Sequence, residues 1–213
     1  MSRQEVLWYA GTALCGYLLG CINTAAILAR AKGFDIRKKG SGNAGASNAL
    51  LTMGRKAAVC SAGVDILKAF LPVFLLMHVI HGPVPHLPVL AGGMAIMGHM
   101  FPFWMQFRGG KGFASLLGLA LGLDWRCFLV CIGFVGIYLL TLRYIALASM
   151  TCAVLLPVWH WITVRNLPET LMLVFVSAVI LFRHRENIIG IINGTEIKFR
   201  DKGGKKHENS RRD

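Results

Sequence analysis

The sequence predicts an all-α, polytopic integral membrane protein: a bundle of seven transmembrane helices with its N-terminus outside and its C-terminus in the cytoplasm. Three observations carry this. Of the 213 residues, 55% are hydrophobic and only 15% charged, whereas soluble domains carry about 25% charged residues. The apolar residues are gathered into runs whose length approaches the ~20 residues that cross a bilayer. The cations, finally, are sorted to one side of those runs.

The first run, 7–29, follows the polar start MSRQE with no small-residue cleavage site behind it, so it reads as an uncleaved span rather than a signal peptide. Further runs lie at 57–80, 87–105, 113–123, 127–141, 145–163 and 168–182. The fourth and fifth are short, which leaves two readings, untilted crossings of a thin region or one broken hairpin. Gly16 with Gly20, and Gly118 with Gly122, form G-x3-G pairs that allow close helix packing. With the N-terminus outside, 19 of the 23 Lys and Arg fall in inside segments; Arg3, Arg126 and Arg165 remain outside, and Lys68 lies within the second span. Residues 1–197 are expected to form one membrane domain. Residues 198–213, charged and poor in apolar side chains, are expected to be a basic, disordered cytoplasmic tail resting on anionic lipid.

The net charge of +13 does not indicate a nucleic-acid partner, because the basic residues lie between apolar spans instead of covering a soluble fold. The six cysteines all fall inside apolar segments without a CxxC pair. They read as small buried hydrophobes, and neither a metal site, a disulfide framework nor a cofactor is expected.

Three polar stretches interrupt the apolar pattern, all on the side that the cations mark as cytoplasmic. The first, KGSGNAGASNALLTMGRK at 39–56, sets Ser41, Asn43, Ser47 and Asn48 among glycines, as in a loop that wraps an oxygen-rich ligand. Such composition on its own more often marks a solvated loop. The second, GHMFPFWMQFRGGKGFAS at 98–115, surrounds Lys111 with Gly109, Gly110 and Gly112. Glycines let backbone N–H groups approach an anion and lysine adds a point charge, although the G-x4-G-K-[ST] spacing of a nucleotide loop is absent. A flexible loop with juxtamembrane cations is the plainer meaning of GGKG alone. His99 opens this stretch, either as a phosphate donor or proton-transfer group, or as a hydrogen-bonded structural residue. The third, RHRENIIGIINGTEIK at 183–198, packs Arg183, His184, Arg185, Glu186 and Asn187 into five consecutive positions, enough for charge-assisted contacts to a phosphate. Asp65 and Lys68, three apart in the second span, form a self-neutralising pair on one helix face, functional or structural. Ser149 puts a hydroxyl near the cytoplasmic start of the sixth span.

The segments SGNAGASN, GHMFPF…FRGGKGFAS, RYIALAS and RHRENI…GTEIK, in this order from residue 41 to 198, jointly resemble the PlsY-type glycerol-3-phosphate acyltransferases of bacteria. The resemblance implies a seven-span enzyme of the bacterial plasma membrane, with its active site at the cytoplasmic face. It also implies the reaction: an acyl group passes from acyl phosphate to the sn-1 hydroxyl of glycerol 3-phosphate, giving 1-acyl-glycerol 3-phosphate and phosphate, the first step of phospholipid synthesis. It places Ser41, Asn43, Ser47 and Asn48 in the first conserved loop, His99, Gly110, Lys111 and Gly112 in the second, Ser149 in the RYIALAS segment, and His184, Glu186 and Asn187 in the third. The sequence departs from the family at Leu51, where arginine is usual, and at Ala146, where serine is common. Arg55 is the candidate to supply the missing phosphate contact.

Lys111, Ser149, His184 and Asn187 are therefore expected to be catalytic. Ser41, Asn43, Ser47, Asn48, Arg55, His99, Gly110, Gly112 and Glu186 are expected to bind substrate. Acyl phosphate carries its own leaving group, so positioning and charge stabilisation suffice without a covalent intermediate. Neither a G-x-S-x-G elbow nor a His followed five residues later by Asp is present. The resemblance implies the substrate phosphate as base, with His184 as the side-chain alternative. Expected partners are acyl phosphate, glycerol 3-phosphate, membrane lipid and an enzyme that produces acyl phosphate. A small transporter of a phosphorylated solute is the rival reading. It predicts polar residues throughout the membrane depth, where this chain has few apart from Asp65 and Lys68, and its polar clusters all lie on one face.

Overall fold

A computed structural model describes residues 2–80 and 84–198. Among these the protein is entirely helical, with ten α-helices and no strand: α1 (Arg3–Gly20), α2 (Thr24–Ala31), α3 (Ala46–Met53), α4 (Arg55–His78), α5 (Leu87–Met100), α6 (Phe113–Leu123), α7 (Trp125–Leu140), α8 (Ile145–Val164), α9 (Leu167–Arg183) and α10 (Arg185–Ile192). The basic tail expected beyond Lys198 lies outside the described residues.

By length and hydropathy, four segments can cross a membrane: Arg3–Ala31, Arg55–His78, Leu87–Met105 and Ile145–Val164. α9 and α10 make a fifth when taken together across their 47° bend, while α6 and α7 are apolar but shorter. α6 and α7 are separate helices that meet at Asp124, whose carboxylate accepts the Arg126 N–H at 2.9 Å and caps α7.

The expected first span is interrupted. α1 ends at Gly20, and Asn23 starts a new helix by accepting the Ala26 N–H on Oδ1 at 2.9 Å. The Asn23 amide also donates to the Ala44 carbonyl at 2.9 Å, fastening this break to the first polar stretch. That stretch is itself half helical, since α3 occupies Ala46–Met53.

The bundle is held by close backbone approach. A Cβ at Gly16 or Gly20 would collide with the backbone of Ala91 or Ala95 on α5, and one at Gly118 with the Ile66 carbonyl on α4. These glycines let α1 lie on α5 and α6 on α4, as the G-x3-G spacing implies. The larger core joins α4 to α9 around Val73, Ile96, Met100, Leu116, Leu119 and Ile180; a smaller one under α2 and α3 contains Ala25, Ala29, Ile36, Ala49 and Met105. Two cysteines depart from expectation: Cys15 and Cys60 are exposed on outward helix faces, while the other four are buried and all six are free. Exposed Leu7, Val59, Leu140 and Phe175 give the outside the apolar character of a lipid-facing surface. At one end of the bundle Glu169 accepts from His86 Nδ1 at 3.0 Å and from His160 Nε2 at 2.8 Å, tying α8 and α9 to the start of α5. The three polar stretches meet at the other end.

Candidate active site

A cavity of about 450 Å³ opens where those stretches converge. Ser41, Asn43 and Ser47 border it from the first, His99, Lys111 and Gly112 from the second, Ser149 from α8, and His184, Glu186 and Asn187 from the third. An apolar wall is formed by Ile66, Leu117, Val135, Ile145 and Ala146, presented by α4, α6, α7 and α8. A second, more polar opening of about 670 Å³ shares Ser41, Asn43, Lys111 and Glu186 and adds Arg37, Arg108, Arg183 and Arg185. Cations thus surround the mouth, and apolar helix walls lie further in.

The GGKG loop is built differently from a simple N–H cradle. The Gly109 and Gly110 N–H groups are spent inside the protein, donating to the carbonyls of Met100 at 3.0 Å and His99 at 3.1 Å. Arg183 Nη2 donates to the carbonyls of Gly109 and Gly110 at 3.2 and 3.3 Å. The start of the loop is held by Arg37 Nη1, which donates to the Met105 carbonyl at 2.8 Å while its guanidinium pairs with Asp35. That pairing lowers the Asp35 carboxyl to about 2. What faces the cavity is Lys111 together with the N-terminal turn of α6, where Gly112 adopts φ +87° and Phe113 and Ala114 line the wall. The unshared N–H groups of a helix start add partial positive charge beside the lysine.

Lys111 Nζ donates to Asn187 Oδ1, and Asn187 Nδ2 donates to Glu196 Oε1 at 2.7 Å. The lysine is half-buried, and burial lowers its pKa. Glu196 and Glu186 pull the pKa back up, and Arg183 adds to the lowering. Glu196 also lies in the third stretch; with Thr195 it folds back onto the Gly190 carbonyl and lines the cavity. Only the chain reversal after α10 brings it to Asn187.

His184 caps α9 and is buried, with Nδ1 2.8 Å from the Ile180 carbonyl. A carbonyl only accepts, so Nδ1 carries the hydrogen and the neutral ring keeps its lone pair on Nε2. The Ser149 hydroxyl and the Asn43 Oδ1 are buried with no partner among the described residues, both at the cavity wall.

Three expected substrate ligands have other positions. Asn48 is fully buried and spends its amide internally, donating to Ile36 O at 3.0 Å and Lys39 O at 2.9 Å and accepting the Ser41 N–H at 2.9 Å. It shapes the loop that presents Ser41 and has no group left for a ligand. Arg55 is exposed at the start of α4 and borders neither opening, whereas Leu51 does face the cavity. Gly110 lies behind the wall, flat against the His99 imidazole.

Convergent cations, a free imidazole nitrogen and apolar helix walls define a membrane enzyme that acts on an anionic headgroup beside a lipid chain. The comparisons with known proteins agree. Residues 10–194 match the family described as Glycerol-3-phosphate acyltransferase. The relative from Geotalea daltonii, named glycerol-3-phosphate acyltransferase, is 37% identical over 86% of this chain and 94% of its own. Those from Shouchella clausii and Mesorhizobium japonicum bear the same name, at 38% identity over 92% and 96%, and 39% over 88% and 94%, of the two chains. The crystal structure of PlsY (YgiH), an integral membrane glycerol 3-phosphate acyltransferase, in its glycerol 3-phosphate form superposes with TM-score 0.82 at 31% identity, covering 90% of this chain and 95% of that one. Its lysophosphatidic acid form gives TM-score 0.78 at 30% identity, over 89% and 94%. The chain belongs to the glycerol-3-phosphate acyltransferase family. It is a membrane acyltransferase of phospholipid synthesis.

Proposed function

We propose that the protein transfers a fatty acyl group from acyl phosphate to the sn-1 hydroxyl of glycerol 3-phosphate, yielding 1-acyl-glycerol 3-phosphate and inorganic phosphate. The observation that carries this reading is the 450 Å³ cavity itself, in which Lys111, His184, Asn187 and the α6 N-terminus face a common space walled by Leu117, Val135 and Ile145. Two phosphate-bearing substrates need cations at the mouth, and one of them needs an apolar channel for its chain.

In this scheme the sn-1 oxygen attacks the acyl carbonyl carbon, the new ester C–O bond forms, and the acyl C–O bond to phosphate breaks. The hydroxyl proton leaves on the released phosphate. His184 Nε2 accepts a hydrogen bond from the hydroxyl and aims its lone pair at the carbonyl. Lys111 and the first N–H groups of α6 stabilise charge gathering on the departing phosphate, and Asn187 holds Lys111 in place. The unpartnered Ser149 hydroxyl donates to the acyl phosphate, and Asn43 Oδ1 accepts from a glycerol hydroxyl. The glycerol phosphate enters through the opening lined by Arg108, Arg183 and Arg185, which supplies the charge that Leu51 does not. Ser41 belongs to both openings, Ser47 lines the 450 Å³ cavity, and Glu186 sits at the rim.

The membrane placement belongs to the same proposal. In this reading the chain crosses seven times, with α6 and α7 as its short crossings, the N-terminus outside and the cavity open to the cytoplasm; the cation distribution supports it. An enzyme that makes acyl phosphate supplies the donor. Purified protein given labelled glycerol 3-phosphate is expected to form labelled 1-acyl product and free phosphate from palmitoyl phosphate, and none from palmitoyl coenzyme A or acyl carrier protein. Efficient use of either thioester, or solute flux into liposomes without acylated product, overturns the proposal.

A further inference from the structure

One buried cluster beside the cavity has no part in the scheme above. Lys68 on α4 donates to the Ile22 carbonyl at 2.7 Å and to Asp65 Oδ1 at 2.7 Å, and lies 2.8 Å from His99 Nδ1. The side chains of Asp65, Lys68 and His99 are only 3%, 3% and 4% exposed. The Ile22 carbonyl is available because it lies in the break between α1 and α2. Asp65 and His99 border the cavity.

Hydrogen counting decides the state of the ring. An ammonium has three hydrogens and no lone pair, and both the Ile22 carbonyl and the Asp65 carboxylate only accept. An alkyl ammonium ordinarily keeps its proton to a pH about four units above that of imidazolium. Asp65 Oδ1 is also closer to Nζ, at 2.7 Å, than to His99 Nδ1, at 3.3 Å. The single positive charge that balances Asp65 therefore belongs on Lys68, and the third Nζ hydrogen points at Nδ1. With Nδ1 accepting, the neutral imidazole must carry its hydrogen on Nε2, which has no partner among the described residues. A Cβ on Gly110 would fall on that nitrogen, so any larger residue there would block Nε2. The Gly110 N–H donates to the His99 carbonyl at 3.1 Å, which ties the ring to the loop that carries Lys111.

We propose that Lys68, with Asp65 as its counter-ion, is a positioning residue that fixes the tautomer of His99, so that Nε2–H is a permanent donor to a phosphate oxygen in the cavity. This rests on the function proposed for the cavity. The test is nitrogen NMR of the full chain in lipid nanodiscs with labelled histidine, the His99 signals being assigned by their loss in His99→Gln. Wild-type His99 is expected to be neutral and protonated on Nε2. In Lys68→Met the hydrogen moves to Nδ1 to meet Asp65, and kcat/KM falls about tenfold or more, the loss of one charged-ligand hydrogen bond. Lys68→Arg, still a pure donor, retains the wild-type tautomer. An imidazolium or an Nδ1–H ring in the wild type, or an unchanged tautomer in Lys68→Met, overturns the proposal without needing any activity. Wild-type turnover in a folded His99→Phe variant, which has no side-chain donor, alongside the expected tautomer overturns the donor role instead, and places the failure in the function read for the cavity.

Discussion

Replacing Lys111 by methionine keeps most of the side-chain length and removes the charge, and its consequence follows from the geometry. Lys111 is half-buried at the cavity wall beside the start of α6. Two unit charges about 4 Å apart at an effective dielectric near 20 attract by about 4 kcal/mol. Solvent at the mouth and the opposing Glu196 and Glu186 reduce this, which brings it into the ~2.7–4 kcal/mol measured when one oxyanion donor is removed elsewhere. The variant is therefore expected to lose about two to three orders of magnitude in kcat. Its fold should survive, because only Asn187 Oδ1 loses its donor, and Asn187 stays fastened to Glu196. Steady-state turnover of palmitoyl phosphate with glycerol 3-phosphate, alongside thermal unfolding in the same detergent, provides the measurement. A well-folded variant within about fivefold of wild type would refute the electrostatic role and leave Lys111 as a membrane-proximal anchor.

Further outcomes follow from the same contacts. Because the Lys111 pKa is lowered in the free protein, its ammonium is lost as pH rises, and the alkaline limb of kcat/KM should begin below the ordinary lysine range; Glu196→Gln removes a contribution that raises the pKa, so a pH–rate profile should show that limb moved to still lower pH. Gly20→Val drives a side chain into the Ala95 backbone and should destabilise the α1–α5 contact by about 1–3 kcal/mol, read as a lower unfolding temperature, whereas Gly11→Ala, with open space around it, should not. In a cysteine-free background, cysteines at exposed Lys32 and Arg126 should react with an impermeant thiol reagent from opposite sides of the membrane, and equal labelling in intact cells would contradict the orientation.

Much of the site could be read in the sequence because each polar stretch interrupts an apolar run, and polar atoms beside a bilayer need partners. Lys111, His184 and Asn187 stand out for that reason, Ser149 only through the RYIALAS segment, and the four line one cavity. Asn23 and the break it caps were not legible: with Thr24 it sits inside an otherwise apolar run, and hydropathy does not register a single capping amide. Asn48 looks the same in sequence as Asn43. What separates them is a loop closure that presents the carbonyls of Ile36 and Lys39 to one amide and leaves the other's oxygen unpartnered. Glu196 reaches Asn187 only through the turn after α10, and Arg55 misses the cavity because α4 begins at that residue, outside the wall that Leu51 forms. The helix α3 was hidden by glycine and serine, which favour turns by propensity but here are held in place by the Ala44 and Ala49 packing under α2.

The central claim is direct transfer: both substrates occupy one cavity together, and the acyl group never rests on the protein. Initial rates measured over a grid of acyl phosphate and glycerol 3-phosphate concentrations test it most directly. The account predicts double-reciprocal lines that intersect, the signature of a ternary complex. Parallel lines, with an acylated protein recovered when glycerol 3-phosphate is withheld, would contradict it.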